Sequence, residues 1–148
     1  MRISGGVAKG RRIGYQKAFL KGGGDDELRP TSSKVKEALF DILRNVLSGA
    51  TFLDLYAGTG GIGIEALSRG ASRVVFVEPH AVRVRMINHL VAEFRFKDHA
   101  RVIKGKALDY VTKRGLREQG FDIIFLDPPY QSGELMKILP LIGQGNLL

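Results

Sequence analysis

Four acids in this chain stand where a sheet would present them. Asp54, Glu78, Asp109 and Asp127 each lie at or just beyond the end of a short apolar run. The last of them opens "DPPY", in which Pro128 and Pro129 separate the acid from Tyr130. Proline fixes φ and biases the residue before it to extended geometry. Two in succession hold Asp127 and Pro128 extended, so the Asp127 carboxylate and the Pro128 carbonyl point in fixed directions. Both accept hydrogen bonds, and a planar NH2 group on a nucleobase has two hydrogens to donate. Holding both draws the nitrogen lone pair out of conjugation and toward an electrophile such as a methyl sulfonium. Tyr130 offers a face on which the base stacks, worth ~1–3 kcal/mol. The rigidity orients the nucleophile in advance. Taken alone, the same residues read equally as a turn that ends a strand.

The glycine loop sharpens the reading. Gly58, Gly60 and Gly63 spell G-x-G-x-x-G directly after a strand and opening a helix, and Glu78 stands twenty residues beyond Gly58. Glycines let the backbone turn sharply and let a ligand come close. A carboxylate at the second strand end can accept both hydroxyls of a ribose, so loop and acid together suit an adenosine-containing cofactor. In a chain with 19 glycines the loop alone carries little and also reads as a plain strand–helix turn. A dinucleotide would seat its pyrophosphate on the helix N-terminus. Asp54 is poor company for a pyrophosphate and suits a cation, such as the amino group of S-adenosylmethionine. Tyr56, in the same loop, is placed with the donor-binding residues. Asp109 either accepts from an adenine amino group or interacts with a helix dipole.

These residues need elements to position them. "TFLDLY" (51–56), "SRVVFVE" (72–78), "ARVIKG" (100–105) and "FDIIFLD" (121–127) read as four apolar strands. Helices are expected through about Arg69, over 80–94, over 107–118 and after Ser132. Val82, Met86, Ile87, Leu90, Val91 and Phe94 share one face of the second, and Leu108, Val111 and Leu116 point inward from the third. Alternating apolar strands and helices give a doubly wound, mostly parallel α/β sheet covered on both faces. Ligands of such sheets bind beyond the carboxyl ends of the strands. "RPTSS" announces an earlier helix, with Thr31, Ser32 or Ser33 as N-cap. Val35, Ala38, Leu39, Ile42, Leu43 and Val46 follow at helical spacing, and "SG" at 48–49 stops it. Residues 1–29 form a glycine-rich basic arm of short strands or loop, mobile around 22–26, and 30–148 form the main domain. The chain stops at "GQGNLL", just after a crossover helix, so it reads as truncated before further C-terminal strands.

Composition excludes several classes. The 148 residues, 44% hydrophobic and 26% charged, fit one folded domain. There are no cysteines, hence no disulfide framework. No secretory leader or membrane-length apolar run is visible, which points to the cytoplasm. His80, His89 and His99 lack metal-ligand spacing and read as surface residues, so no metal site is expected. Ser68 and Ser132 lack a nucleophile elbow. Arg83, Arg85, Lys104 and Lys106 read as solvated faces. The net charge is +8, and residues 1–36 hold nine basic against three acidic side chains. A basic arm on a nearly balanced body suggests a polyanionic partner, most often nucleic acid.

"DPPY" with "DLYAGTGGIG" resembles the class I S-adenosylmethionine-dependent methyltransferases that act on exocyclic amines of nucleic-acid bases. Together with "MRISGGVAKGRRI", "RPTSSKVKEALFDIL", "GIEALSRGA", "VVFVEPH" and Asn88 in "MINHL", it resembles the bacterial RsmD family of 16S rRNA guanine-N2 methyltransferases. The resemblance spans nearly the whole chain. It implies a seven-stranded sheet, S-adenosylmethionine as donor and N2 methylation of a guanine. By that resemblance Asp54, Tyr56, Gly58, Gly60, Glu78 and Asp109 bind the donor, and Asp127, Pro128, Pro129 and Tyr130 hold the base. Lys9, Arg11, Arg12 and Arg29 contact RNA phosphates, with Arg29 equally able to brace the helix after it. Asn88 reads as a polar residue on a helix face. The implied partner is ribosomal RNA or the small ribosomal subunit, met by a monomer. Rival readings are a DNA adenine-N6 methyltransferase, a nicotinamide-dependent oxidoreductase and a non-enzymatic RNA-binding protein.

Overall fold

A computed structural model describes residues 1–14, 31–113, 120–129 and 132–144. The expectations for Arg29, Tyr130, Leu116, the 22–26 stretch and the end of the helix after 113 lie outside these residues. Four strands form one parallel sheet: β1 (Thr51–Asp54), β2 (Arg73–Glu78), β3 (Ala100–Lys104) and β4 (Ile123–Phe125), in the order β3-β2-β1-β4. The helices are α1 (Ser33–Ile42), α2 (Gly61–Ser68), α3 (Ala81–Glu93), α4 (Ala107–Lys113) and α5 (Glu134–Gln144), with a 3₁₀ turn at Lys97–His99. The chain winds outward from β1 to β3, then returns to lay β4 on the other side of β1. That reversal opens a crevice at the carboxyl ends of β1 and β4.

β1 is the buried centre. Phe52 faces one core with Val74 and Phe76, backed by α2 and α3 through Ile64, Ile87 and Leu90. Leu53 faces the other with Val75 and Val77, backed by Tyr110, Val111, Ile138 and Ile142. The alternation follows from the period of two along a strand. The strands are shorter than the apolar runs that encode them. β4 pairs only Ile123–Phe125 with Phe52–Asp54, and beyond it Pro128 and Pro129 have no N–H to donate to a ladder.

The first helix departs from its apolar pattern. Ser32 is the N-cap, its Oγ accepting from the Val35 N–H at 3.3 Å. Val35, Ile42 and Val46, expected to face inward, are 60%, 80% and 59% exposed. Lys36 and Phe40 are buried in their place, with Leu39 and Leu43 half-buried. The helix also ends at Ile42 and passes into turns before Ser48. A carboxylate on α2 explains the rotation: Lys36 Nζ lies 2.9 Å from Glu65 Oε2 and donates to the Arg2 carbonyl at 2.6 Å.

Glu65 also fastens the arm. Residues 1–14 fold back through an antiparallel Arg2–Arg12 bridge, burying Ile3, Ala8 and Ile13. Glu65 accepts from the amides of Ser4 and Gly5, the Ser4 hydroxyl, Lys36 and Arg69 Nε. Burial pushes its carboxyl up, but the bonds from Arg69, Lys36 and Ser4 outweigh that and hold it below its ordinary value. Ser68 completes the fastening, donating to the Gly5 carbonyl at 2.6 Å and accepting from the Ala8 N–H at 2.9 Å.

Candidate active site

Strand register gathers three of the four acids. Asp54 pairs with Phe76 on one side and Phe125 on the other. Glu78 and Asp127 each lie two residues further along those neighbouring strands, so all three stand at one end of three adjacent strands. Asp54 is 1% exposed, and neither carboxylate oxygen meets a donor at hydrogen-bonding geometry. Burial first, then the nearby charges of Glu78 and Asp127, push its carboxyl up to about 7, although the amides of Tyr56 and Gly63 pull the other way. A buried, unpartnered carboxylate is costly unless something cationic or protic meets it.

Glu78 is likewise buried, and each of its oxygens already accepts one hydrogen bond. Oε2 accepts from the Gly58 N–H and Oε1 from the His80 N–H, both at 2.9 Å. Burial raises its pKa, while the His80 amide and the Arg83 guanidinium partly offset this. Glu78 thus binds the glycine loop directly. Gly58 and Gly60 take φ of +52° and +78°, a region open mainly to glycine, and Gly60 caps α2. Gly63 serves packing: a Cβ there would fall 2.1 Å from Phe76 Cε1.

Arg83, read as part of a solvated face, is 3% exposed with Nη1 3.7 Å from Glu78 Oε1. The buried carboxylate that ends β2 draws the guanidinium in, whereas Arg85, Lys104 and Lys106 are exposed. Asn88 is exposed on α3, its amide bonded to the Val84 carbonyl. Asp109 sits exposed in the first turn of α4, 4.0 Å from Lys113. Asp127 is exposed, Pro128 half-buried and Pro129 exposed. The Ser132 N–H donates to the Pro129 carbonyl at 3.3 Å, turning the chain into α5. Tyr56 spans the crevice, its hydroxyl donating to Glu134 Oε2 at 2.7 Å.

The arm's cations lie elsewhere. Arg11 bonds the Glu93 carbonyl at 3.4 Å and stands over the Phe94 ring at 4.1 Å; Lys9 and Arg12 are exposed beside it. Arg11 thus sits at the last turn of α3 and the neighbouring residues Gly5 and Ala8 at the last turn of α2, both helices having their first turns at the crevice. The eight residues of α2 separate the two by roughly 12 Å at about 1.5 Å per residue.

Sequence reasoning missed Glu65, Lys36, Arg83 and Glu134. Only Glu65 carried a signal, as a single acid inside the apolar run "GIGIEAL". The donor set fits a cationic, adenosine-bearing cofactor. Asp54 offers an unpartnered anion, the glycine loop offers close backbone approach, and Glu78 fixes that loop at the second strand end.

This sheet order, with a glycine loop after β1 and an acid ending β2, is a doubly wound nucleotide-binding fold, and the solved methyltransferase structures that superpose on it make it a class I methyltransferase fold. Residues 1–148 match the family profile described as conserved hypothetical protein 95. The chain is 36% identical over 148 residues to a Bacillus subtilis protein, YlbH, described as a candidate rRNA methyltransferase, covering 100% of this chain and 77% of the relative. It is 33% identical to the ribosomal RNA small subunit methyltransferase D of Escherichia coli, covering 100% of this chain and 69% of that one. The solved structure of yhhF from Escherichia coli, described as a candidate methyltransferase, superposes with a TM-score of 0.84 at 28% identity, covering 100% of this chain and 74% of that one. The chain belongs to this family, the RsmD family that its motifs resemble.

Proposed function

We propose that the protein transfers a methyl group from S-adenosylmethionine to the exocyclic N2 amine of a guanine in small-subunit ribosomal RNA. The observation that carries this reading is the register that sets the buried, unpartnered Asp54 beside the rigid Asp127-Pro128-Pro129 segment. Family membership supports the reaction class and the RNA substrate. When bound, the donor supplies an electrophilic methyl on a sulfonium.

Every other task falls to the chain. Asp54 would meet the donor's ammonium. The glycine loop, held by Glu78, would admit the nucleoside portion, with Glu78 at the ribose and Asp109 toward the adenine. The Asp127 carboxylate and the Pro128 carbonyl would each accept one hydrogen of the guanine N2 amine. That grip frees the nitrogen lone pair for in-line attack and aims it at the donor pocket. Tyr130 would stack the base. No strong base is required, because the nitrogen becomes cationic on methylation and then loses its proton readily. Lys9, Arg11 and Arg12 would bind phosphates outside the crevice, with Arg29 as a further phosphate contact, so their contribution is to affinity and is salt-dependent.

The test is labelled methyl transfer from S-adenosylmethionine to unmethylated small subunits, with a DNA duplex in parallel. Label in the subunit RNA that disappears with Asp127→Ala, while donor affinity stays within a few-fold, supports the reading. Label in the duplex alone would overturn it in favour of a DNA adenine methyltransferase.

A further inference from the structure

The Tyr56–Glu134 contact links two loops that the proposed chemistry needs in one place. Tyr56 stands two residues after Asp54, in the loop that leaves β1. Glu134 opens α5, seven residues after Asp127. Their hydrogen bond, at 2.7 Å, joins positions 78 apart in sequence, and both side chains are half-buried. Burial, then the bond to Glu134, push the Tyr56 hydroxyl above its ordinary value, so at neutral pH it is a donor. A carboxylate acceptor makes the bond charge-assisted, the stronger kind.

Glu134 is in turn connected back toward the prolines. Its N–H donates to Ser132 Oγ at 3.4 Å, and the Ser132 N–H donates to the Pro129 carbonyl at 3.3 Å. The β1–β4 ladder ends at Asp54 and Phe125, short of both loops. Side-chain contact therefore takes over where backbone pairing stops.

We propose that the Tyr56–Glu134 hydrogen bond is a strut that couples the donor loop after β1 to the base-holding segment 127–129. Tyr56 and Glu134 are then positioning residues: neither needs to touch the base, and each acts through the segment it steadies. Donor binding that orders the loop at Tyr56 tightens the entry to α5, so base capture follows donor binding. The functional consequence rests on the methyl-transfer reading; the strut itself does not.

Tyr56→Phe keeps the ring and removes only the donor. Hydrogen exchange of the full chain, without any donor, reads the strut directly. Amides of 132–138 should exchange several-fold faster in Tyr56→Phe than in the wild type, with those of β2 unchanged. S-adenosylmethionine should then protect 132–138 in the wild type and not in the variant. In turnover the variant should lose about tenfold in kcat/KM for RNA, on the scale of one charge-assisted bond. With Tyr56 intact, Glu134→Gln keeps an acceptor for its hydroxyl and should retain most of the wild-type kcat/KM, whereas Glu134→Leu should lose it as Tyr56→Phe does. Equal exchange of 132–138 in the wild type and Tyr56→Phe would overturn the strut. A wild type that binds no S-adenosylmethionine would instead sink the methyl-transfer reading, and the donor-free exchange would still decide the strut.

Discussion

Asp54→Asn should make the unliganded protein more stable, and by an amount that grows with pH. In the unfolded chain Asp54 ionises near its ordinary 3.8, whereas in the folded protein it ionises near 7. Between those values the unfolded chain has released a proton that the folded chain still holds. Folding stability therefore falls as pH rises through this window, by about 1.4 kcal/mol per unit. Above about pH 7 both states are ionised and the loss is constant, roughly 4 kcal/mol over about three units. Asparagine does not titrate, so the advantage of the variant should grow by about 2 kcal/mol between about pH 5 and pH 7 and then level off. The amide adds a fixed penalty for burying polar atoms without partners. That penalty is the same at every pH and cancels in the difference. Urea unfolding of both proteins from about pH 5 to pH 8 measures it. A stability difference that stays flat across that range would refute the buried, raised carboxylate. The same substitution should weaken donor binding, since it removes the anion proposed to meet the ammonium.

Other substitutions probe the supports around the site. Lys36→Met strands Glu65 without one of its two ion-pair partners and should cost about 3–5 kcal/mol in chemical unfolding. Loss under 1 kcal/mol would mean that the backbone donors and Arg69 hold Glu65 unaided. Gly63→Ala drives a methyl into the Phe76 ring and should destabilise by ~1–3 kcal/mol or more, with Phe76→Leu restoring part of it. Arg83→Met removes a charge that offsets the upward shift of Glu78, so donor affinity should begin to fall at a higher pH on acidification than in the wild type. An unchanged pH profile would show that Arg83 does not act through Glu78.

Much of this architecture was legible because it is periodic. Apolar strands alternating with helices imply the parallel sheet, and the glycine loop with Glu78 points to a crevice at the strand ends. Side-chain pairing between distant elements was not legible. Val35, Ile42 and Val46 belong to an apolar set that by periodicity should face the core, yet the Lys36–Glu65 pair turns α1 by about a quarter turn, so that Lys36 and Phe40 are buried instead. Arg83 reads as a surface cation until the fold puts Glu78 beside it. Tyr56 stands in the loop after β1, but its partner Glu134 lies 78 residues away and no local pattern joins them. The arm was legible as a basic segment. Its attachment at the far ends of α2 and α3 depends on Glu65 and Ser68, which sequence alone does not connect to residues 4–8.

The most direct measurement digests the labelled RNA to nucleosides and identifies the one that carries the methyl group. Asp127 and Pro128 are read as gripping a guanine N2 amine, so the label should appear in N2-methylguanosine from small-subunit RNA. Label confined to N6-methyladenine, or to any ring nitrogen, would contradict the account.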